Sequence, residues 1–259
     1  MIPKIIHYCW FGHNPKPKLA TKCIRSWKKH CKNYQFIEWN EDNFDISSAP
    51  QYVQEAYAAK KWAFVTDYVR LFVVYHNGGI YLDTDVEILR NIDELLELSA
   101  FFGLETGNYV NTGLGFGAEQ HAPILKELME DYHNIPFVLE NGELDLTGCP
   151  ERNTKVFLQH GLKMENKTQE IENKMLVFAE EYFCPKNYCT DEINITKNSY
   201  AIHHYDASWF SETQQKEKET RWKNKQKKAK IKKIRATVKS VGIRMLGEKL
   251  YKKLRGVKE

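Results

Sequence analysis

No hydrophobic run in the 259 residues approaches the roughly 20 apolar residues that a membrane-spanning helix needs. The N-terminus has no charged n-region followed by an apolar h-region, so no secretory signal is expected. Cysteine is sparse and scattered: the six, at positions 9, 23, 31, 149, 184 and 189, include no two Cys-x-x-Cys pairs. That pattern argues against a zinc site. The default reading, for Cys184 and Cys189 as for the others, is buried thiols in a reducing cytosol. Internal repeats are absent too.

What is present suits one sizeable domain plus an appendage. Hydrophobic content is ordinary at 42%, and 13% aromatic residues supply core and stacking surface. The most informative stretch is Gly78-Gly79-Ile80-Tyr81-Leu82-Asp83-Thr84-Asp85-Val86-Glu87. Side chains alternate faces along a strand, so Asp83 and Asp85 are expected on one face, with Ile80 and Leu82 turned into a core. Two carboxylates on one face need a cation or a basic partner. Oxygen ligands of this kind suit Mg²⁺ or Mn²⁺ bridging to a diphosphate. Alone, an Asp-x-Asp is weak, because any solvated acidic turn supplies one.

The flanks make it stronger. Residues 61–77 are apolar at helical spacing, with Val65, Val69, Phe72 and His76 in one stripe and Phe64, Tyr68, Leu71 and Tyr75 beside it. Asn77 and Gly78 supply the stop. Asp67 and Arg70 lie inside this helix, three residues apart and so on one face. A buried ion pair adds little net stability once desolvation is counted, which favours a substrate role over packing alone.

Trp62-Ala63-x-x-Thr66-Asp67-x-x-Arg70 followed by Gly78-Gly79-Ile80-Tyr81-Leu82-Asp83-Thr84-Asp85 resembles the signature of glycosyltransferase family 32. These are the sugar-binding glycosyltransferases with an Asp-x-Asp motif, related to the catalytic domains of the large glucosylating toxins. Ile2 to Gly12 resembles that family's first strand and loop, and His203-His204-Tyr205-Asp206-Ala207-Ser208-Trp209 its closing block. Three ordered blocks spanning about residues 1–210 are more specific than one motif. One departure is Tyr205-Asp206, where many members carry Trp followed by a small residue.

The resemblance implies an A-type, Rossmann-like nucleotide-sugar-binding α/β fold and a set of roles. The loop after strand one would hold the nucleobase, with Trp10 or Phe11 as the stacking face; a hydrophobic plug is the alternative. Trp62 and Thr66 belong to the donor-binding signature, and Asp67 and Arg70 would touch the transferred sugar. Tyr81 would sit near the ribose or diphosphate, Asp83 would bridge ribose and sugar, and Asp85 would coordinate the metal. Asn111 would be the polar tip of a sugar and acceptor loop in Val110-Asn111-Thr112-Gly113-Leu114-Gly115-Phe116-Gly117. Thr147-Gly148-Cys149-Pro150 resembles a Thr-Gly-Pro block with a cysteine inserted. His204, chosen over His203, would join Asp83 and Asp85 on the metal, and Ser208 and Trp209 would cover the diphosphate.

Alternating strands and helices independently argue for an α/β fold. Strands are expected at 2–8, 34–39, from Gly79 through the dicarboxylate, 100–104, 113–117, 175–179 and 200–203. Helices are expected at 17–30, 51–60, 62–76 and 123–133. A loop over 140–153 precedes a short helix with Val156 to His160.

The C-terminus changes character. Residues 216–259 hold 18 Lys and Arg against four Glu, a charge of +14; the whole chain is +4, which leaves −10 on residues 1–215. Ile231, Ile234, Val238 and Val241 recur at helical spacing, and Met245 to Val257 continue the stripe. A basic amphipathic helix suits an anionic membrane surface. Interleaved aromatics are limited to Trp222 and Tyr251, which argues against nucleic acid. The expected division is a catalytic domain over 1–212 and a basic tail over 213–259.

The expected function is metal-dependent, retaining transfer of a hexose from a nucleotide sugar, UDP-linked by preference over GDP-mannose. The acceptor would be a glycan in polysaccharide or glycolipid synthesis, at the cytoplasmic face of the membrane. Open alternatives are an effector that glycosylates a protein and a non-catalytic carbohydrate-binding relative.

Overall fold

The computed structural model describes residues 1–188 and 190–206. Cys189, Ser208, Trp209, the tail over 216–259 and the expected boundary at 212/213 lie outside the described residues.

The chain opens with β1 (Ile5–Cys9), α1 (Lys18–His30) and β2 (Gln35–Trp39), a parallel pair joined by a crossover helix. β1 starts later than the expected position 2, because Pro3 has no amide to give a ladder and Ile2 bonds instead to the Leu96 carbonyl. The helices α2 (Gln51–Ala58) and α3 (Trp62–Asn77) follow, then β3 (Gly79–Tyr81) beside β1. α3 buries Val65, Asp67 to Leu71, Val73 and Val74, while His76 turns outward.

Gly78 and Gly79 make the sharp helix-to-strand turn. Both have positive φ, +64° and +107°, and a Cβ on Gly79 would lie 2.8 Å from the Ile5 carbonyl oxygen. Only glycine lets β3 enter that close to β1.

Next come β4 (Val86–Ile88), β5 (Ala100–Glu105), β6 (Tyr109–Val110), β7 (Phe116–Ala118) and α4 (Pro123–His133). The rest is α5 (Cys149–Gln159), β8 (Gln169–Glu170), β9 (Met175–Phe178), α6 (Glu180–Phe183) and β10 (Ala201–His203). The main sheet runs β2-β1-β3-β7-β5-β9-β8, with β6 on β5; β4 and β10 pair separately. β1, β2, β3, β5 and β9 run one way, and β7 and β8 run against them. This is the expected α/β class.

Two apolar layers flank the sheet. Val65, Val69, Val73, Tyr52 and Leu125 fill one side, from α2, α3 and α4. Cys23, Trp27, Ile80, Leu82, Val86 and Phe183 fill the other. Trp27 also ties α1 to β4 by donating its indole N–H to the Val86 carbonyl at 2.7 Å.

Two further expectations need correction. Residues 113–115 are loop rather than strand, and β7 begins only at Phe116. Cys149 to Asn153 are helical: α5 starts at Cys149 with Pro150 in its first turn, where a missing amide costs nothing.

Candidate active site

Asp83 and Asp85 do not sit on a strand. β3 ends at Tyr81, and the Val86 amide donates to the Asp83 carbonyl at 2.9 Å, which closes a turn over 83–86. The turn, not strand alternation, brings both carboxylates to one side. Leu82 and Ile80 face the core as expected.

The antiparallel pair β4–β10 then matters most. Its register sets His203 opposite Val86, directly after Asp85. His203 Nε2 lies 3.2 Å from Asp85 Oδ1 and 4.0 Å from Asp83 Oδ2. His204 turns the other way and meets Glu87 at 2.9 Å. The structure therefore brings His203, and not the expected His204, beside the two carboxylates, because neighbouring residues at a strand end face opposite sides. The chain after β10 wraps the turn: the Asp206 amide donates to Asp85 Oδ2 at 2.8 Å, and the His204 amide to the Asp85 carbonyl.

Arg70 backs the cluster. Its Nη2 lies 3.2 Å from both Asp67 Oδ1 and Asp83 Oδ1, and its Nε and Nη2 also donate to the Thr66 carbonyl and hydroxyl. Thr66 spends its own proton on the Ala63 carbonyl. Only 3% exposed, Arg70 holds the carboxylates from behind more than it reaches outward. Tyr81 is fully buried under the guanidinium and donates its hydroxyl to Asp83 Oδ1 at 2.8 Å. It orients that carboxylate and does not line an open surface.

Burial pushes the Asp67 and Asp83 carboxyls up, against the pull of Arg70. Asp85 goes the other way. Burial would raise it too, but the His203 charge and the Asp206 amide outweigh that and bring it to about 2. His203 is lowered by burial yet ends above its ordinary value, because Asp85 and Asp83 face it.

Three carboxylates thus share one guanidinium and one imidazole. The ligand atoms of Asp83, Asp85 and His203 lie within 4.8 Å of one another. Both His203 ring nitrogens are buried with no directed hydrogen bond among the described residues, although Nε2 is within charge-pairing distance of Asp85. A buried polar ring left so calls for a partner. A divalent cation meets that need, and two carboxylates with one imidazole suit Mn²⁺ better than Mg²⁺, which prefers oxygen. The residues fit the group.

On the opposite side, Asn111 is buried, donates to Glu105 Oε2 at 2.8 Å and accepts from the Gly113 amide at 2.6 Å. The thiol of Cys149 lies 3.6 Å from both Asn111 Oδ1 and Arg70 Nη1, so the start of α5 closes the back of the site. Gly113 and Cys149 stand in the glycine-rich run and the Thr-Gly-Cys-Pro block that the sequence marks, whereas Glu105 lies in no marked block.

The loop after β1 divides its two aromatics. Phe11 is buried, edge-on to Phe44, and is core packing, as the plug alternative foresaw. Trp10 is half-buried, donates its indole N–H to the Asn14 carbonyl at 2.6 Å and has the Lys16 amine 5.7 Å from its ring. Trp62 packs edge-on to Tyr57 and closely against Gly12 of the same loop.

A dicarboxylate turn thus follows β3 at the carboxyl end of the sheet, backed by the buried Asp67–Arg70 pair. Residues 17–102 match the family described as the glycosyltransferase sugar-binding region containing DXD motif. The chain is 30% identical to inositol phosphoceramide mannosyltransferase 3 of Schizosaccharomyces pombe, over 52% of this chain and 38% of the relative. It is 36% identical to a human alpha-1,4-N-acetylglucosaminyltransferase, over 30% of this chain and 22% of the relative. Among solved structures, the PaToxG glycosyltransferase aligns at a TM-score of 0.46 and 18% identity, over 61% of this chain and 68% of that one. The chain spans about two fifths of the length of the first curated relatives it matches.

Proposed function

We propose that the protein is a metal-dependent glycosyltransferase that moves a hexosyl unit from a nucleotide sugar to a glycan or glycolipid acceptor, with retention at the anomeric carbon. The observation that carries this reading is the convergence of Asp83, Asp85 and His203 in front of the Asp67–Arg70 pair. When bound, a divalent cation supplies positive charge to the leaving diphosphate. Asp83, Asp85 and His203 would hold it, and Asp67 and Asn111 would orient the sugar. Arg70 pairs with both Asp67 and Asp83 beside it. Trp10 would offer the nucleobase a face.

The sequence favours a UDP-linked hexose, and the mannosyltransferase relative favours GDP-mannose. A panel of nucleotide sugars, with Mn²⁺ and with chelator, scored by released nucleotide and by thermal shift, separates them. Metal-dependent release from one donor is the expected result; no release and no shift with any donor would refute the reading.

Asp67→Asn separates sugar contact from packing. Arg70 keeps Asp83 in the variant, so the stability loss should fall below the roughly 3–5 kcal/mol of an orphaned buried charge. Turnover should fall about 100-fold. Full activity in a markedly less stable protein would make the pair structural.

We place the protein at the cytoplasmic face of an anionic membrane, held by the basic residues of 216–259. Co-sedimentation with anionic vesicles at low salt, lost at high salt, is the expected behaviour; indifference to such vesicles would refute the placement. Among the described residues, no helix is long and apolar enough to cross a membrane.

A further inference from the structure

Glu105 is a partly buried carboxylate at the end of β5 that the roles above leave unused. Its Oε2 accepts from two directions: Asn111 Nδ2 at 2.8 Å and the Tyr205 hydroxyl at 3.3 Å. Burial pushes the Glu105 carboxyl up, opposed first by the Asn111 hydrogen bond.

Each partner leads to one side of the site. Asn111 Oδ1 accepts the Gly113 amide and so sets the backbone that lies against Asp83 and Arg70. Tyr205 stands edge-on to the His203 ring, 4.1 Å between centroids. The next residue, Asp206, holds Asp85 through its amide. Tyr205 has a φ of +56°, which a bulky residue adopts only where its surroundings hold it. Its hydroxyl also lies 3.0 Å from the Cys184 thiol. A Trp at this position, as the resemblance leads one to expect, would bring no hydroxyl to Glu105.

We infer that Glu105 is a positioning residue that ties the sugar-side loop over 111–113 to the metal-side segment over 203–206, through Asn111 and Tyr205. The two halves of the site then keep one geometry. Its kinetic consequence rests on the glycosyltransferase reading; the mechanical coupling does not.

Two measurements test it. In turnover, Glu105→Ala should lower kcat about 30- to 100-fold, with the donor KM within threefold, since a misplacement of about 1 Å can cost 100-fold. Glu105→Gln should stay within about fivefold of wild type, because one amide oxygen can accept both hydrogen bonds. A Gln variant as inactive as Ala would mean that the carboxylate acts chemically, which overturns a positioning role. So would an Ala variant within threefold of wild type.

The second measurement needs neither donor nor metal. In hydrogen–deuterium exchange on the full chain, Tyr205→Phe should speed exchange at residues 111–113. The same change should add nothing there in the Glu105→Ala background. Unchanged exchange at 111–113 in Tyr205→Phe would overturn the coupling. If wild type turns over no donor at all, the proposed function fails, and the exchange experiment still decides the coupling.

Discussion

Asp85→Ala will lower turnover by about a thousandfold or more in a protein that remains folded. Asp85 is the most firmly ionised carboxylate of the cluster, held at about 2 by His203 and the Asp206 amide. Its loss leaves Asp83 as the one carboxylate facing His203 at the turn and takes the side-chain acceptor from the Asp206 amide, while the His204 amide keeps the backbone carbonyl of residue 85. Charge stabilisation of a leaving diphosphate by a bound cation is worth several kcal/mol, and about 4 kcal/mol corresponds to a thousandfold in rate. The melting temperature should fall by a few degrees, since the core layers are untouched. Steady-state assays with excess Mn²⁺, beside a thermal melt, check both; activity near wild type would remove Asp85 from the metal.

Gly113→Ala should also be costly, although it removes no functional group. A Cβ at this position would sit 2.5 Å from Asp83 Oδ2, 3.0 Å from Asn111 Oδ1 and 3.1 Å from Arg70 Nη1. None of the three can move freely. Tyr81 and Arg70 grip Asp83, the Gly113 amide grips Asn111, and Thr66 grips Arg70. The expected loss in kcat/KM is about 100-fold, or roughly 2.7 kcal/mol, from displacement of the carboxylate. Kinetics and circular dichroism of the purified variant check this. A folded variant with wild-type kinetics would show that the close approach does not constrain the site.

Much of this was legible in the sequence because it was local. Helical spacing over 62–76 marked α3, and Asn77 and Gly78 marked its end. Asp67, Arg70, Asp83 and Asp85 stand in one short segment, so motif and geometry coincided. The turn at 83–86 was hidden because Thr84 and Val86 read as strand residues. His203 and His204 cannot be told apart without the register of β10 on β4, a pairing across more than 100 residues. The resemblance implies that Tyr81 sits near the ribose or diphosphate, and the fold buries it under Arg70 with its hydroxyl on Asp83. Glu105 left no signal at all: its partners at 111 and 205 meet it only through the fold.

Mn²⁺ titration of the full chain with a nucleoside diphosphate present, read by electron paramagnetic resonance, tests the metal centre directly. His203→Ala should weaken Mn²⁺ binding at least tenfold, because it removes the one nitrogen of the cluster. His204→Ala should stay within twofold of wild type, because that ring serves Glu87 and not the carboxylate turn. Binding that survives in His203→Ala and fails in His204→Ala would contradict the site described.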